Sequence, residues 1–153
     1  MKPLTQLVPD VREAMATALE QMAQEITDEL KADGPYWTGQ FESLWVVNSG
    51  RKAVRATVPT VFPWVMEAQP RRPTKADVPE QSLKLEGYTI GNTALYRLYA
   101  MDILPGSPTS GRRQGNAPNA TAPGGKFWYD NYKNAKMGRT IQRVLTNVFR
   151  RYS

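Results

Sequence analysis

Carboxylates, lysines and hydroxyls are the side chains able to do chemistry here, because the 153 residues include no histidine and no cysteine. That composition removes Ser-His-Asp triads, histidine zinc sites and imidazole acid–base catalysis, together with disulfides, thiolate metal sites and a cysteine nucleophile. Glu13 with Glu20, and Glu25 with Asp28 and Glu29, have the helical spacing that paired carboxylates would need. General acid–base work also needs one member desolvated enough to shift its pKa, and nothing in the flanking sequence predicts that, so a solvated helix face accounts for them. Gly106 and Gly111 are spaced like phosphate-loop glycines, but Arg112-Arg113 follows where Lys then Ser or Thr is required, and no buried strand leads in. The expectation is a protein that is not an enzyme, with no catalytic, cofactor-binding or metal-binding residue.

Binding chemistry is better represented. Lys133, Lys136, Arg139, Arg143, Arg150 and Arg151 are interleaved with Tyr132, Phe149 and Tyr152, a combination that suits a phosphate backbone, with cations supplying charge and rings a stacking surface. The same residues equally describe core aromatics on a helix whose outer face is basic and solvated. Trp37, Trp45, Trp64 and Trp128 all fall near element ends or loops, where tryptophan often anchors an interface because it removes much apolar area at little entropy cost. Phe62, Trp64 and Trp128 are the candidate subunit-interface residues, with Phe62-Pro63-Trp64 the clearest exposed anchor.

The elements that must position these residues form one α+β domain over 1–153, a length typical of a single core, and 41% hydrophobic with 22% charged residues is globular composition. Pro9 to Lys31 reads as a helix with Val11, Met15, Ala18, Leu19, Met22, Ile26 and Leu30 on one stripe, Pro9 in the first turn and Gly34-Pro35 as the stop. Trp45-Val46-Val47 begins a strand that meets the turn Asn48-Ser49-Gly50-Arg51, and Lys52 to Val58 alternates as its hairpin partner should. Leu83 to Ile90 suggests a third strand, and Thr93 to Met101 a helix with Leu95, Leu98 and Tyr99 inward. From Tyr129 a closing helix carries Tyr132, Ala135, Ile141, Leu145, Val148, Phe149 and Tyr152 inward, with Gly138 as a soft spot. The fold expected is a small antiparallel sheet flanked by a long N-terminal and a long C-terminal helix.

Two stretches cannot build a core. Residues 69–80 are polar with three prolines and carry Arg71, Arg72 and Lys75, and 105–125 are dominated by Gly, Pro, Ser, Thr, Asn and Ala with Arg112 and Arg113; both are expected to protrude, the second ordering on a partner. Charge is divided along the chain: residues 1–50 hold three bases and eight acids, a net of −5, and residues 51–153 hold seventeen bases and six acids, a net of +11. Such asymmetry suits nucleic-acid contact, or head-to-tail contact between copies, acidic face to basic face. The opening residues lack the apolar core of a signal peptide, and no run approaches the roughly 18 apolar residues of a membrane span, so synthesis and residence in cytosol, without membrane contact, is the default.

Tyr36-Trp37-Thr38-Gly39-Gln40-Phe41-Glu42-Ser43-Leu44-Trp45, after a long helix, resembles an element of small neck proteins of tailed bacteriophages, the head-tail connector and tail-completion or tail-terminator family. Its Thr-Gly-x-aromatic-or-Leu-x-x-Ser pattern falls on Thr38, Gly39, Phe41 and Ser43 or Leu44. Ile90-Gly91-Asn92-Thr93-Ala94-Leu95-Tyr96 with Tyr99-Ala100 is similar to the family's second element, and Pro123-Gly124-Gly125-Lys126-Phe127 to the loop before its last helix. The acidic-Gly step that usually follows Tyr-Ala is displaced to Asp102 and Gly106. The resemblance implies a structural virion protein, assembled in the host bacterial cytoplasm and located in the neck where head meets tail. It implies a cyclic homo-oligomer of about six or twelve copies, neighbouring neck or tail rings as partners, and DNA passing through the channel. On that reading Arg71, Arg72, Lys75, Arg112 and Arg113 face the lumen or a partner. The alternative is a small basic nucleic-acid-binding module.

Overall fold

The chain begins with a 30-residue helix, α1 (Leu4–Asp33), held by the stripe that its spacing predicts: Ile26 and Leu30 are buried, and Met22 packs against the same cluster. The helix starts earlier than expected, so Pro9 lies inside it and forgoes one intrahelical hydrogen bond instead of occupying the first turn. The computed structural model describes residues 4–36, 39–59, 69–72, 74–101, 122–125 and 127–152. After α1 come a single turn α2 (Gln40–Ser43), strands β1 (Trp45–Ser49) and β2 (Tyr88–Asn92), short helices α3 (Arg97–Ala100) and α4 (Trp128–Asn131), a π-helical stretch Tyr132–Lys136, and α5 (Met137–Tyr152). Together they make the expected α+β fold, a two-stranded antiparallel sheet between a long N-terminal and a long C-terminal helix.

The sheet is not the expected hairpin. β1 pairs with β2 in the register Trp45–Asn92, Val47–Ile90 and Ser49–Tyr88, although roughly forty residues of chain separate them. The turn at Gly50 forms with φ of 72°, but its amide donates to Gly87 O at 2.8 Å. The alternating run after it, Lys52 to Val58, makes no ladder and passes across β2 instead. A Cβ built on Gly91 would lie 2.6 Å from that of Val54, so only glycine lets the run approach so closely, and Thr57 and Val58 then donate to Thr93 O.

α5 lies antiparallel to α1. Val144 and Val148 pack on Ala14 and Ala18, whose small side chains admit close approach, and each buried valine contributes roughly 1.5–3 kcal/mol. The widened π turn before α5 changes the helical phase so that Tyr132 and Thr140 both face α1. Ala135, expected on the inner stripe, is exposed. The second core cluster is aromatic: the Phe41 ring meets Trp45 edge-on at 6.0 Å and Trp128 at 6.5 Å, and Trp45 stacks on Tyr129 at 6.5 Å.

Residues 69–72 and 74–80 have no helix or strand, as expected; most are exposed, and they run along α1 toward its N-terminus. Tyr36 Oη donates to Pro70 O at 3.1 Å, Lys31 Nζ to Thr74 O and Oγ1 at 3.3 Å, Ala76 N to Asp28 Oδ1 at 3.0 Å and Gln81 N to Glu20 Oε1 at 2.6 Å. Four backbone groups, Pro70 O, Thr74 O, Ala76 N and Gln81 N, are thus paired with side chains of α1 or of Tyr36 just beyond it. Of the second stretch, only 122–125 is described, and it closes on the end of α1, where Gly124 N donates to Asp33 O at 2.9 Å.

Candidate functional site

Two motif elements converge on one junction. Gly39 takes the left-handed conformation, φ 85°, that turns the chain into α2, and α2 delivers Phe41 to the core. At the end of β2, fully buried Asn92 donates Nδ2 to Phe41 O at 2.8 Å and accepts from Ala94 N at 2.9 Å. Arg97 completes the junction, its guanidinium donating to Val54 O at 2.8 Å and Asn92 O at 2.9 Å. Burial pushes the Tyr96 phenol up to about 12. This arrangement is a joint in which the Asn92 and Arg97 side chains bind backbone groups of Phe41, Val54, Asn92 and Ala94.

Arg97 also sets the phase of α3. Ala94, Ala100 and Met101 face the core, and Leu95 and Leu98, expected inward, point to solvent at 58% and 46% exposure. A helix of one turn has too few residues for its own periodicity to choose a face, so the anchored guanidinium chooses it.

The acids of α1 are acceptors for the rest of the chain. Glu29 receives Tyr132 Oη at 2.7 Å and Thr140 Oγ1 at 2.8 Å, while Arg143 donates to Glu25 at 2.6 Å and to Glu29 at 3.3 Å. Lys136 pairs with Asp33 at 2.6 Å. Burial, then the bond to Glu29, drives the Tyr132 pKa well above the usual phenol value, and hydrogen bonds to Glu25 and Glu29 raise that of Arg143. Acidic and basic portions of the chain, expected to meet between copies, therefore meet within one chain along the α1–α5 seam. Asp28 is likewise engaged, with Gln24 Nε2 and Ala76 N.

Glu13 and Glu20 end up with Glu80 around an open groove of about 520 Å³, lined also by Ala16, Thr17, Gln81, Ser82 and Leu83. Burial and the charges of Glu20 and Glu80 push the nearby Tyr88 phenol up to about 12. Among the described residues no group of three or more acidic side chains is arranged to hold a metal ion, and no helix is long and apolar enough to cross a membrane.

The expected interface and lumen residues separate into three groups. Trp128 is no subunit anchor: it is 1% exposed, donates Nε1 to Ala100 O at 3.0 Å and packs beside Gly34, which leaves no surface for a partner. Arg71 is likewise committed internally, donating to Lys31 O at the end of α1, pairing with the enclosed Glu42 carboxylate at 3.5 Å and lying over the Tyr36 ring at 5.3 Å. Arg72 and Lys75 are exposed on the stretch that runs along α1, and Phe62, Trp64, Arg112 and Arg113 lie outside the described residues. The joint built by Asn92 and Arg97 was missed in the sequence, although a polar Asn followed by small Ala94 at the end of an apolar strand was its signal. Comparison with protein-family models, with curated protein sequences and with solved structures gives no match.

Proposed function

We propose that this chain is a ring-forming structural subunit of the neck of a tailed bacteriophage, acting at the head-tail junction as a connector, head-closure or tail-completion component. The observation that carries the reading is the joint between the two motifs. Phe41 of the first meets Asn92, Ala94 and Tyr96 of the second, and the Asn92–Phe41 bond spans 51 residues of sequence. Motifs that resemble those of one family, and that form one buried unit, support the resemblance as a feature of the fold and not only of the sequence. Long-range polar closure of residues 74–81 on α1 and of the α1–α5 seam also suits a subunit that must be rigid before it assembles.

The rival, a small basic nucleic-acid-binding module, has less to work with, since Arg143 is held by Glu25 and Glu29 and Tyr132 is buried away from any base. Light scattering of the purified protein across concentration and salt, followed by negative-stain imaging, tests the two. A closed ring of about six or twelve copies is expected. A strict monomer that captures duplex DNA, with affinity falling steeply as salt rises, would replace the neck reading by the binding module.

A further inference from the structure

The run from Lys52 to Val58 has the alternation of a strand without the ladder. Val54, Ala56 and Val58 are half-buried, while Ala53, Arg55 and Thr57 between them are exposed. Period-two burial is what an extended chain produces, with successive side chains on opposite faces and successive backbone groups on opposite edges. The edge of the half-buried residues is engaged at both ends. Val54 O accepts from Arg97 at 2.8 Å, Val58 N donates to Thr93 O at 3.1 Å, and Val58 O accepts from Leu95 N at 3.2 Å. The other edge is open: among the described residues, the N–H and C=O of Ala53 and Arg55 have no hydrogen-bond partner. Val54 against Gly91 fixes the run on β2, so this edge is ordered before anything binds it.

The same stretch is basic. Arg51, Lys52 and Arg55 are exposed, and no acid occurs in the sequence from Ser43 to Met66. Glu86 lies beside Gly50 at the start of the run, yet among the described residues none of the three cations forms an ion pair. We propose that the open edge receives one further strand, an extended segment of a partner protein with carboxylates at alternate positions, which pairs with Ala53 and Arg55 by β-augmentation. The inference does not rest on the ring reading. Arg51, Ala53 and Arg55 share the outward face, so acids opposite the two arginines form cross-strand ion pairs. A nucleic acid fits less well, because phosphates answer the cations but bring no donor to Ala53 O or Arg55 O. A peptide backbone brings donors and acceptors at strand spacing.

The probe is a fluorescein-labelled peptide alternating glutamate with threonine, its binding to the parent protein followed by anisotropy. Binding is expected, and its affinity should fall about tenfold in Arg51→Gln/Lys52→Gln/Arg55→Gln, as exposed ion pairs are lost. Charge alone would give that result too, so two further changes remove only backbone bonds. Ala53→Pro deletes one donor of the open edge, and N-methylation of alternate peptide amides deletes the donors to Ala53 O and Arg55 O. Each should abolish binding. Circular dichroism melts of the variants should match the parent; where Ala53→Pro lowers the melt, the N-methylated peptide decides. A peptide that does not bind, or an N-methylated one that binds as tightly, would overturn the proposal. Single-stranded DNA that displaces a methylation-insensitive peptide would give the run to a phosphate backbone instead. Self-association of the parent that Ala53→Pro abolishes would give the edge to a second copy, and so would also overturn it.

Discussion

Tyr132 and Glu29 are joined across the antiparallel helices, the phenol donating to Glu29 Oε2 at 2.7 Å while Thr140 Oγ1 donates to the same oxygen at 2.8 Å. One carboxylate thereby holds the π turn and the start of α5 on α1, and Arg143 sets its second bond at 3.3 Å.

Glu29→Gln should weaken this seam, because an amide keeps a single acceptor oxygen: turned toward the two hydroxyls it presents NH₂ to Arg143, and it carries no charge for that guanidinium. A loss of about 1–3 kcal/mol is expected from leaving these donors short of an acceptor. Urea unfolding measures it, and stability equal to the parent would show that the hub carries no weight.

The protein should also lose stability in alkali. Tyrosines in the unfolded chain ionise near 10.0, Tyr96 in the folded chain only at about 12, and Tyr132 is raised further by burial and Glu29. The folded state thus holds protons that the unfolded state has released, so the stabilisation is complete below about pH 10 and is lost as pH climbs through the folded values. Urea midpoints taken across this range should fall less steeply in Tyr132→Phe and Tyr96→Phe than in the parent.

Gly91→Ala should be destabilising by about 1–3 kcal/mol, because the new Cβ meets Val54 and the crossing run must shift. Val54→Gly removes the opposing Cβ, so the double variant should recover part of that loss. A double-mutant cycle with no coupling would mean that the two positions are not in contact.

Asn92→Ala leaves Phe41 O and Ala94 N buried without their partner, at an expected cost of about 1–3 kcal/mol. Trp128→Ala should cost more, about 3–5 kcal/mol, as a cavity opens in the aromatic cluster. Both should appear in the melting temperature of the isolated protein.

Much of the architecture could be read before any coordinates. Met22, Ile26 and Leu30 repeat at helical spacing and are where α1 meets the core, and Val148 does the same for α5. Local pattern failed where a choice depended on a distant residue. Lys52 to Val58 alternates as a strand would, yet β1 found β2 because Gly91 lets the intervening run cross and Asn92 locks the far end. Trp128 stands beside a glycine-rich loop, as an interface residue would, and is buried because Gly34 and Gly124 leave room for its ring. Thr140 and Val144 were passed over in the closing helix since the π turn, invisible in composition, shifts which face looks inward.

By itself, the sequence determined the helical stripes, the α+β class, the missing imidazole and thiol chemistry and the uneven charge, because each depends on residue type or on spacing within a few positions. Tertiary structure decided how the charges are used. Arg143 reaches Glu25 across 118 residues and Lys136 reaches Asp33 across 103, pairings that exist only because α5 folds back antiparallel on α1. It also decided which apolar residues stay exposed, since Ala14 and Ala18 are buried under α5 while Val8 and Val11 of the same helix are not. A stripe records that a face is apolar; only the closed fold determines how much of that face the chain can cover on its own.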